Sequence, residues 1–425
     1  MTTVDLTRLV SPLGVVNSVR RALVPRGLSR VHVCVGDAGS GRPGRSAVPP
    51  AGEVGTGRVL DDPDLSHTVA IAEAAERYAG ANLHTEPERA VAADLPGRVL
   101  DTSRIPRCSP REHAQPGCPM VPYRDDVPIR WVRGVDVHTG EPTWVPAVMV
   151  AYGLHAEPAE RFVYQISTGY SVHPDPAQAL LGGILEVVER DAVALTWLQK
   201  LPLPPLSPDT FTDDVRYLLA WSERRFLTTH LFEATTDLAV PTVYVLQIAP
   251  HDAMARQVIG AGTGHSLGDA ARRALLEVLT LRDAYYSDEP PPADYTAFRT
   301  VLDGARMMSR PEHSAAFGFL LDGLDARVPT ASAPDLPADP TAALRVVLGH
   351  LADAGMQVVA VDRTCRELAE VGLTAVTVVI PELQPMSLQP LAQFRAHPRL
   401  REAPARMGFP SLSEEEQNQW PQPFA

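Results

Sequence analysis

The sequence has few cysteines, no long apolar run and a shortage of positive charge. Its four cysteines, Cys34, Cys108, Cys118 and Cys365, form no CxxC pair in 425 residues. They are too few to staple a chain of this length and wrongly spaced for a zinc site, so free thiols are expected. No apolar stretch approaches the roughly 18–20 residues needed to cross a bilayer. The start, MTTVDLTRLV, lacks the charged-then-apolar layout of a secretory signal, so a cytoplasmic protein with no membrane contact is expected. Lys and Arg number 38 against 51 Asp and Glu, a formal charge of -13. That balance argues against a protein that follows a nucleic-acid backbone by bulk electrostatics. A phosphate loop is missing too. VHVCVGDAGSGRP offers a strand and the GxxxxG spacing, but Arg42 and Pro43 stand where Lys and Ser or Thr are required.

What the chain does have is a 45% hydrophobic content and 41 prolines lying mainly between periodic segments, which implies a large core with long ordered loops. Residues 1–60 read as a lead-in segment, with a short apolar run at Val31, Val33 and Val35 and then a Gly/Pro-rich, flexible stretch over 36–58. Residues 61–425 read as the main domain. Within it, helices are expected in SHTVAIAEAAERYAG, in DPAQALLGGILEVVERDAVALTWLQ after the Asp175-Pro176 start signal, and from Ser266 through LGDAARRALLEVLTLRDAYY. PIRWVRGVDVHTGEPTWVPAVMVAY reads as a hairpin turning at HTGEP. A further helix, TAALRVVLGHLADAG, and the strands VPTVYVLQIA, QVVAVD and TAVTVVIP follow. Helices and strands alternate without a regular βαβ rhythm, so the expected class is α+β with mixed sheets.

Three of the helical segments share a pattern: Glu73, Glu76 and Arg77 in IAEAAERYA, Glu186, Glu189 and Arg190 in ILEVVERDA, and Glu277 and Arg282 in LLEVLTLRDA. In the first two, spacings of three and four put two carboxylates and a guanidinium on one helical face. On a solvated helix that is worth only a few tenths of a kcal/mol. Here Ile71, Leu181, Leu185, Val188, Leu275 and Leu279 surround the acids, and buried carboxylates need cations. Magnesium held by carboxylates and phosphates is one solution, and arginine offers a fork for phosphate oxygens. Converging acidic helices therefore point to a magnesium-nucleotide site without a phosphate loop.

ALLGGILEVVERDAVALTWLQKLPLP resembles the most recognisable segment of the YcaO family, and AIAEAAERYAG is similar to its earlier ExxER helix. SPLGVVNSV, PIRWVRGVDVHTGEPTWVPA, VIGAGTGHSLGDAARRALLEVL and VVAVDRTCRELAEVGLTAVTVVIPELQP follow the family in order, so the resemblance covers essentially residues 10–425. It implies ATP and magnesium as cofactors. Glu73, Glu76, Glu186, Glu189 and Glu277 then stand at metal and nucleotide positions, and Arg77, Ser171, Arg190 and Arg282 at nucleotide positions. The tail WPQPFA resembles the proline-rich end of azole-forming cyclodehydratases, which places Pro423 and Ala425 at the catalytic step.

The implied function is ATP-dependent cyclodehydration of Cys, Ser or Thr in a ribosomally made precursor peptide to thiazolines or oxazolines. The start is too short for a leader-binding winged helix, so a separate leader-binding partner is expected, and the family implies a homodimer. The alternatives are a thioamide- or amidine-forming YcaO enzyme, or a non-catalytic scaffold. Gln178, Pro174, Thr280 and Val69 depart from the residues the family usually carries at those places. His173 and His265 read as loop or cap histidines, and Asp362 and Thr364 match a DxT segment that a turn would equally explain.

Overall fold

The computed structural model describes residues 5–39, 54–81, 83–287 and 289–424. Its strands are β1 Val16–Arg21, β2 Val31–Ala38, β3 Val54–Leu60, β4 Glu88–Ala90, β5 Arg98–Val99, β6 Ile129–Asp136, β7 Pro142–Pro146, β8 Tyr170–His173, β9 Thr228–Glu233, β10 Thr242–Ile248, β11 Gln257–Thr263, β12 Val359–Asp362 and β13 Thr374–Val379. Its helices are α1 Pro63–Ala81, α2 Pro110–His113, α3 Pro176–Leu198, α4 Asp213–Glu223, α5 Leu267–Leu281, α6 Val301–Met308, α7 Gly318–Leu321, α8 Pro340–Asp353, α9 Arg366–Glu370 and α10 Arg399–Arg406.

Three helices open on Asp-Pro. The carboxylates of Asp62, Asp175 and Asp339 accept from the amides of Leu65 at 2.8 Å, Ala177 at 2.9 Å and Ala342 at 2.8 Å. Each proline takes the first helical position, where a missing N–H costs nothing. At α5, Ser266 caps the amide of Asp269 at 3.1 Å. The carboxylate of Asp269 turns to Arg272 and Arg273.

The chain divides into two compact units instead of at residue 60: Met1–Ser103, Tyr123–Val187 and Asp339–Pro381 form the first, and Arg104–Pro122, Val188–Ala338 and Glu382–Ala425 the second. In the first unit, the segment expected as a lead-in supplies all three strands of an antiparallel sheet, β1-β2-β3. Helix α1 lies on it, with Ile71, Ala74, Ala75 and Ala79 packed in a core with Leu6, Leu9 and Val16. Part of the stretch expected to be flexible is therefore strand β3, and residues 40–53 lie outside the described residues. A seven-stranded sheet, β5-β7-β6-β12-β13-β8 with β4 beside β6, completes this unit. The expected hairpin is β6 paired antiparallel with β7.

The second unit repeats the arrangement. An antiparallel sheet β11-β10-β9 carries α5. In both units, glycines in the outermost strand let the helix approach. A Cβ on Gly57 would lie 1.9 Å from the carbonyl oxygen of Ser66, and one on Gly262 2.3 Å from that of Ala270. Trp197, Phe232, Tyr244, Phe317 and Phe424 fill the second core. The α+β class expected from the sequence is the class observed.

Candidate functional site

In the first unit, α1 and α3 place their acids against backbone amides. Glu73 accepts from the amide of Thr56 at 2.7 Å, on the open side of β3. Glu186 accepts from Gly169 at 3.1 Å. Between these acids lie Glu76 and Arg77, with Nη1 of Arg77 3.3 Å from Oε1 of Glu76. Burial pushes the Glu76 carboxyl well above the usual carboxylate range. Arg77 pulls it back, and Glu186 and Glu73 push it further up. Apart from that ion pair, Nε and Nη1 of Arg77 are buried and make no hydrogen bond among the described residues. A carboxylate short of cation and a guanidinium short of acceptor fit a metal ion and a phosphate together.

Two further residues hold this group in place. Tyr152 donates its hydroxyl to the carbonyl of Arg77. Arg363, 2% exposed, donates to the carbonyls of Ala79 at 2.9 Å and Gly80 at 3.3 Å and so closes the C-terminal end of α1. The sequence drew attention to its neighbours Asp362 and Thr364. Those two make a turn, with the Thr364 amide 2.8 Å from Oδ1 of Asp362. Ser171, on β8, has its hydroxyl against Gly182, where a Cβ would come within 2.6 Å of it. That is one turn of α3 before Glu186.

In the second unit, Glu189 and Glu277 meet on one strand. Glu189 accepts from the amide of Thr263 at 2.7 Å and Glu277 from that of Ala261 at 3.2 Å. These amides lie two residues apart on β11 and so face the same way. Because β11 is the edge of its sheet, glutamates close an edge that would otherwise be open. Nη1 of Arg190 lies 2.6 Å from Oε1 of Glu189, and its guanidinium sits 4.7 Å over the ring of Phe424. Pro423 and Phe424 are both buried, whereas Ala425 lies outside the described residues.

Arg282 donates to Gln247 at 3.2 Å and to the carbonyl of Ala255 at 2.5 Å and pairs with Asp252 at 3.4 Å, around the β10–β11 connection. His173 and His265 serve loops: Nδ1 of His173 accepts from the Asp175 amide at 2.9 Å, and the His265 ring bonds the carbonyl of Pro337 at 2.8 Å. The four cysteines are free, and no group of three or more His, Cys, Asp or Glu side chains placed to hold a metal ion occurs among the described residues. No helix there is long and apolar enough to span a membrane.

The family model for YcaO cyclodehydratases, described as ATP- and Mg2+-binding, matches residues 60–384. The chain belongs to the YcaO family. ATP and magnesium are the cofactors that go with it. Solved structures agree in fold. A heterocyclase in complex with substrate and cofactor superposes with a TM-score of 0.80 at 22% identity, over 98% of this chain and 56% of that one. The heterocyclase TruD gives 0.69 at 20%, over 85% and 51%. YcaO from Methanopyrus kandleri, bound with AMPPCP and Mg2+, gives 0.59 at 20%, over 87% and 86%. In sequence, an uncharacterised protein of the tfuA 3′ region of Rhizobium leguminosarum bv. trifolii is 30% identical over 147 residues, 34% of this YcaO chain and 32% of that protein. The chain thus spans about half the length of the two heterocyclases and about a third of the curated relative.

Proposed function

We propose that this YcaO protein converts Cys, Ser or Thr residues of a ribosomally made precursor peptide to azolines, using ATP and magnesium, together with a separate leader-binding protein and as a homodimer. The observation that carries the reading is the pairing of Arg77, whose buried donors lack acceptors, with Glu76, whose carboxyl is forced up by burial beside two other acids.

In this reading Glu73, Glu76, Glu186, Glu189 and Glu277 hold magnesium, while Arg77, Arg190 and Ser171 take phosphate oxygens. The hydrogen bonds from Thr56, Gly169, Thr263 and Ala261 fix one oxygen of four of these carboxylates and aim the other. The side-chain thiol or hydroxyl gives its proton to solvent and attacks the preceding carbonyl carbon, forming the ring bond and leaving the oxygen negative. ATP, when bound, would supply the phosphoryl group for this oxygen, with ADP as the leaving group. The C–O bond then breaks, releasing phosphate, and the amide nitrogen gives up its proton to leave C=N. The chain's own contribution is to position the groups and neutralise charge. Pro423, beside the ring that covers Arg190, is assigned to the peptide step.

Peptide mass after incubation with precursor, partner and magnesium-ATP tests this. Stepwise loss of water that disappears in Glu186→Ala and Glu189→Ala supports cyclodehydration, and nucleotide binding without mass change rejects it. A scaffold reading has one observation of its own. The hydroxyl of Thr280 is turned back on its own helix, onto the Leu276 carbonyl at 2.7 Å, so it offers nothing outward.

A further inference from the structure

We propose that the open edge of β1 takes up an extended acidic segment of a partner protein as a fourth strand of the β1-β2-β3 sheet. Strand β1 is the end of that sheet: besides β2 it meets, among the described residues, an isolated parallel bridge from Val10 at its first residue, Val16. Its register shows which backbone groups are free. The Ala22 amide donates to the Val33 carbonyl at 2.9 Å, so in the antiparallel alternation Arg20, opposite Val35, also faces β2. Val19 and Arg21 then present their N–H and C=O groups to the open side. Upstream, the carbonyl of Val16 is already taken by the Ser11 amide at 3.0 Å, which places the start of the free edge after it.

Charge selects the occupant. The protein carries a net charge of -13, yet between Asp5 and Asp37 it contains no acidic residue at all. In the same interval stand Arg8, Arg20, Arg21, Arg26 and Arg30. Arg8, Arg20, Arg21 and Arg26 are exposed, and Arg30 pairs with Asp61. Arginines on an open edge discourage pairing with an identical strand, because like charges would face each other, and they favour an acidic one. A second copy of β1 is thus the wrong occupant. Apolar contact is on offer at both ends of the strand. Leu23 is 94% exposed, the most exposed large apolar side chain among the described residues, and Leu13 is 66% exposed. An added strand that alternates acidic and apolar residues would match both features, main-chain bonds giving affinity and side chains selectivity.

The inference goes beyond the catalytic reading and does not depend on it, since binding is read without nucleotide. The probe is a labelled synthetic peptide alternating glutamate with valine, titrated by fluorescence anisotropy against the full chain, with a lysine–valine peptide as counterpart. The glutamate peptide is expected to bind, with affinity falling as salt rises and falling about tenfold or more in R20E/R21E. Arg21→Pro removes an outward N–H that the fold does not use, and is expected to weaken binding further than Arg21→Ala, which removes only charge. Amide exchange is expected to slow at Val19 and Arg21 in the complex. Equal binding of the two peptides, or indifference to Arg21→Pro beyond Arg21→Ala, overturns the proposal. So does concentration-dependent self-association that R20E/R21E abolishes, which would make a second copy the occupant.

Discussion

The guanidinium carbon of Arg190 lies 4.7 Å from the centre of the Phe424 ring, so the side chain of Phe424 rests on a helix that also carries Glu189. Phe424 is 1% exposed, among Trp197, Phe317, Met386 and Leu400. Around it the Trp420 carbonyl accepts from Trp197 at 3.2 Å and Gln393 at 3.3 Å.

Phe424→Ala is therefore expected to lower stability by about 3–5 kcal/mol, the usual loss for emptying a buried aromatic site. Phe424→Leu, which keeps most of the volume but not the ring face, is expected to cost about 1 kcal/mol or somewhat more. Urea unfolding of both variants measures this. Equal stability of wild type and Phe424→Ala would show that the tail is not seated in the core.

Glu76 gives a pH-dependent prediction. Its carboxyl is raised in the folded protein by burial, so the stability it contributes is complete below its unfolded pKa and is lost as pH rises through the raised folded value. Without nucleotide and metal, Glu76→Gln is expected to melt higher than wild type at neutral pH, with the gap closing in acid. Added magnesium-ATP is expected to raise the melting temperature of wild type more than that of Glu76→Gln. Melting temperatures that run parallel across pH for the two proteins would contradict the first statement, and equal shifts with magnesium-ATP the second.

Glu233 behaves in the opposite sense. Burial pushes its carboxyl up, but hydrogen bonds from Ser332, Thr330 and Ala333 outweigh that and hold it below the usual range. The stabilisation is present above the unfolded pKa and is lost as pH falls through the depressed folded one. Glu233→Gln is expected to cost about 1.5–3 kcal/mol at neutral pH, the scale of hydrogen bonds to a charged group, and progressively less in acid. Denaturant titrations at neutral and acid pH check the convergence.

Two glycines should respond to alanine with opposite sign. In Gly57→Ala the new methyl meets the backbone of α1, since it would lie 1.9 Å from the Ser66 carbonyl oxygen; a loss of about 1–3 kcal/mol or more is expected. Gly349, inside α8, has nothing within 4 Å of a new Cβ. Gly349→Ala is expected to gain up to about 1 kcal/mol from helix propensity. Thermal melts that move in the same direction for both would refute the packing argument.

Much of this was readable before the structure, for physical reasons. The long helix of Glu186 and Glu189 shows its apolar stripe and its Asp175-Pro176 start, and the β6–β7 hairpin its alternation and turn residues. Strand β3 was hidden because Gly55 and Gly57 look like loop residues, although their lack of side chains is what lets α1 come close. The partners of Arg282 were not legible, because sequence likeness ignores helix phase: five residues after Glu277, it points about 140° round the helix, toward Gln247 and Ala255. Arg363 gave no signal at all, since capping the end of a distant helix leaves no local pattern.

The glycines of β3 and β11 and the carboxylates of α1, α3 and α5 answer to different demands. Gly57 and Gly262 are held by contact with helix backbone, whatever chemistry the protein performs, whereas Glu76 is costly to bury and, under the proposed function, it and Glu186 are useful only where a cation arrives. A relative that had given up catalysis would be free to replace the acids with apolar residues and would even gain stability, but it could not replace the glycines. Reading the two sets side by side in any related sequence would therefore sort working enzymes from retired ones without an assay.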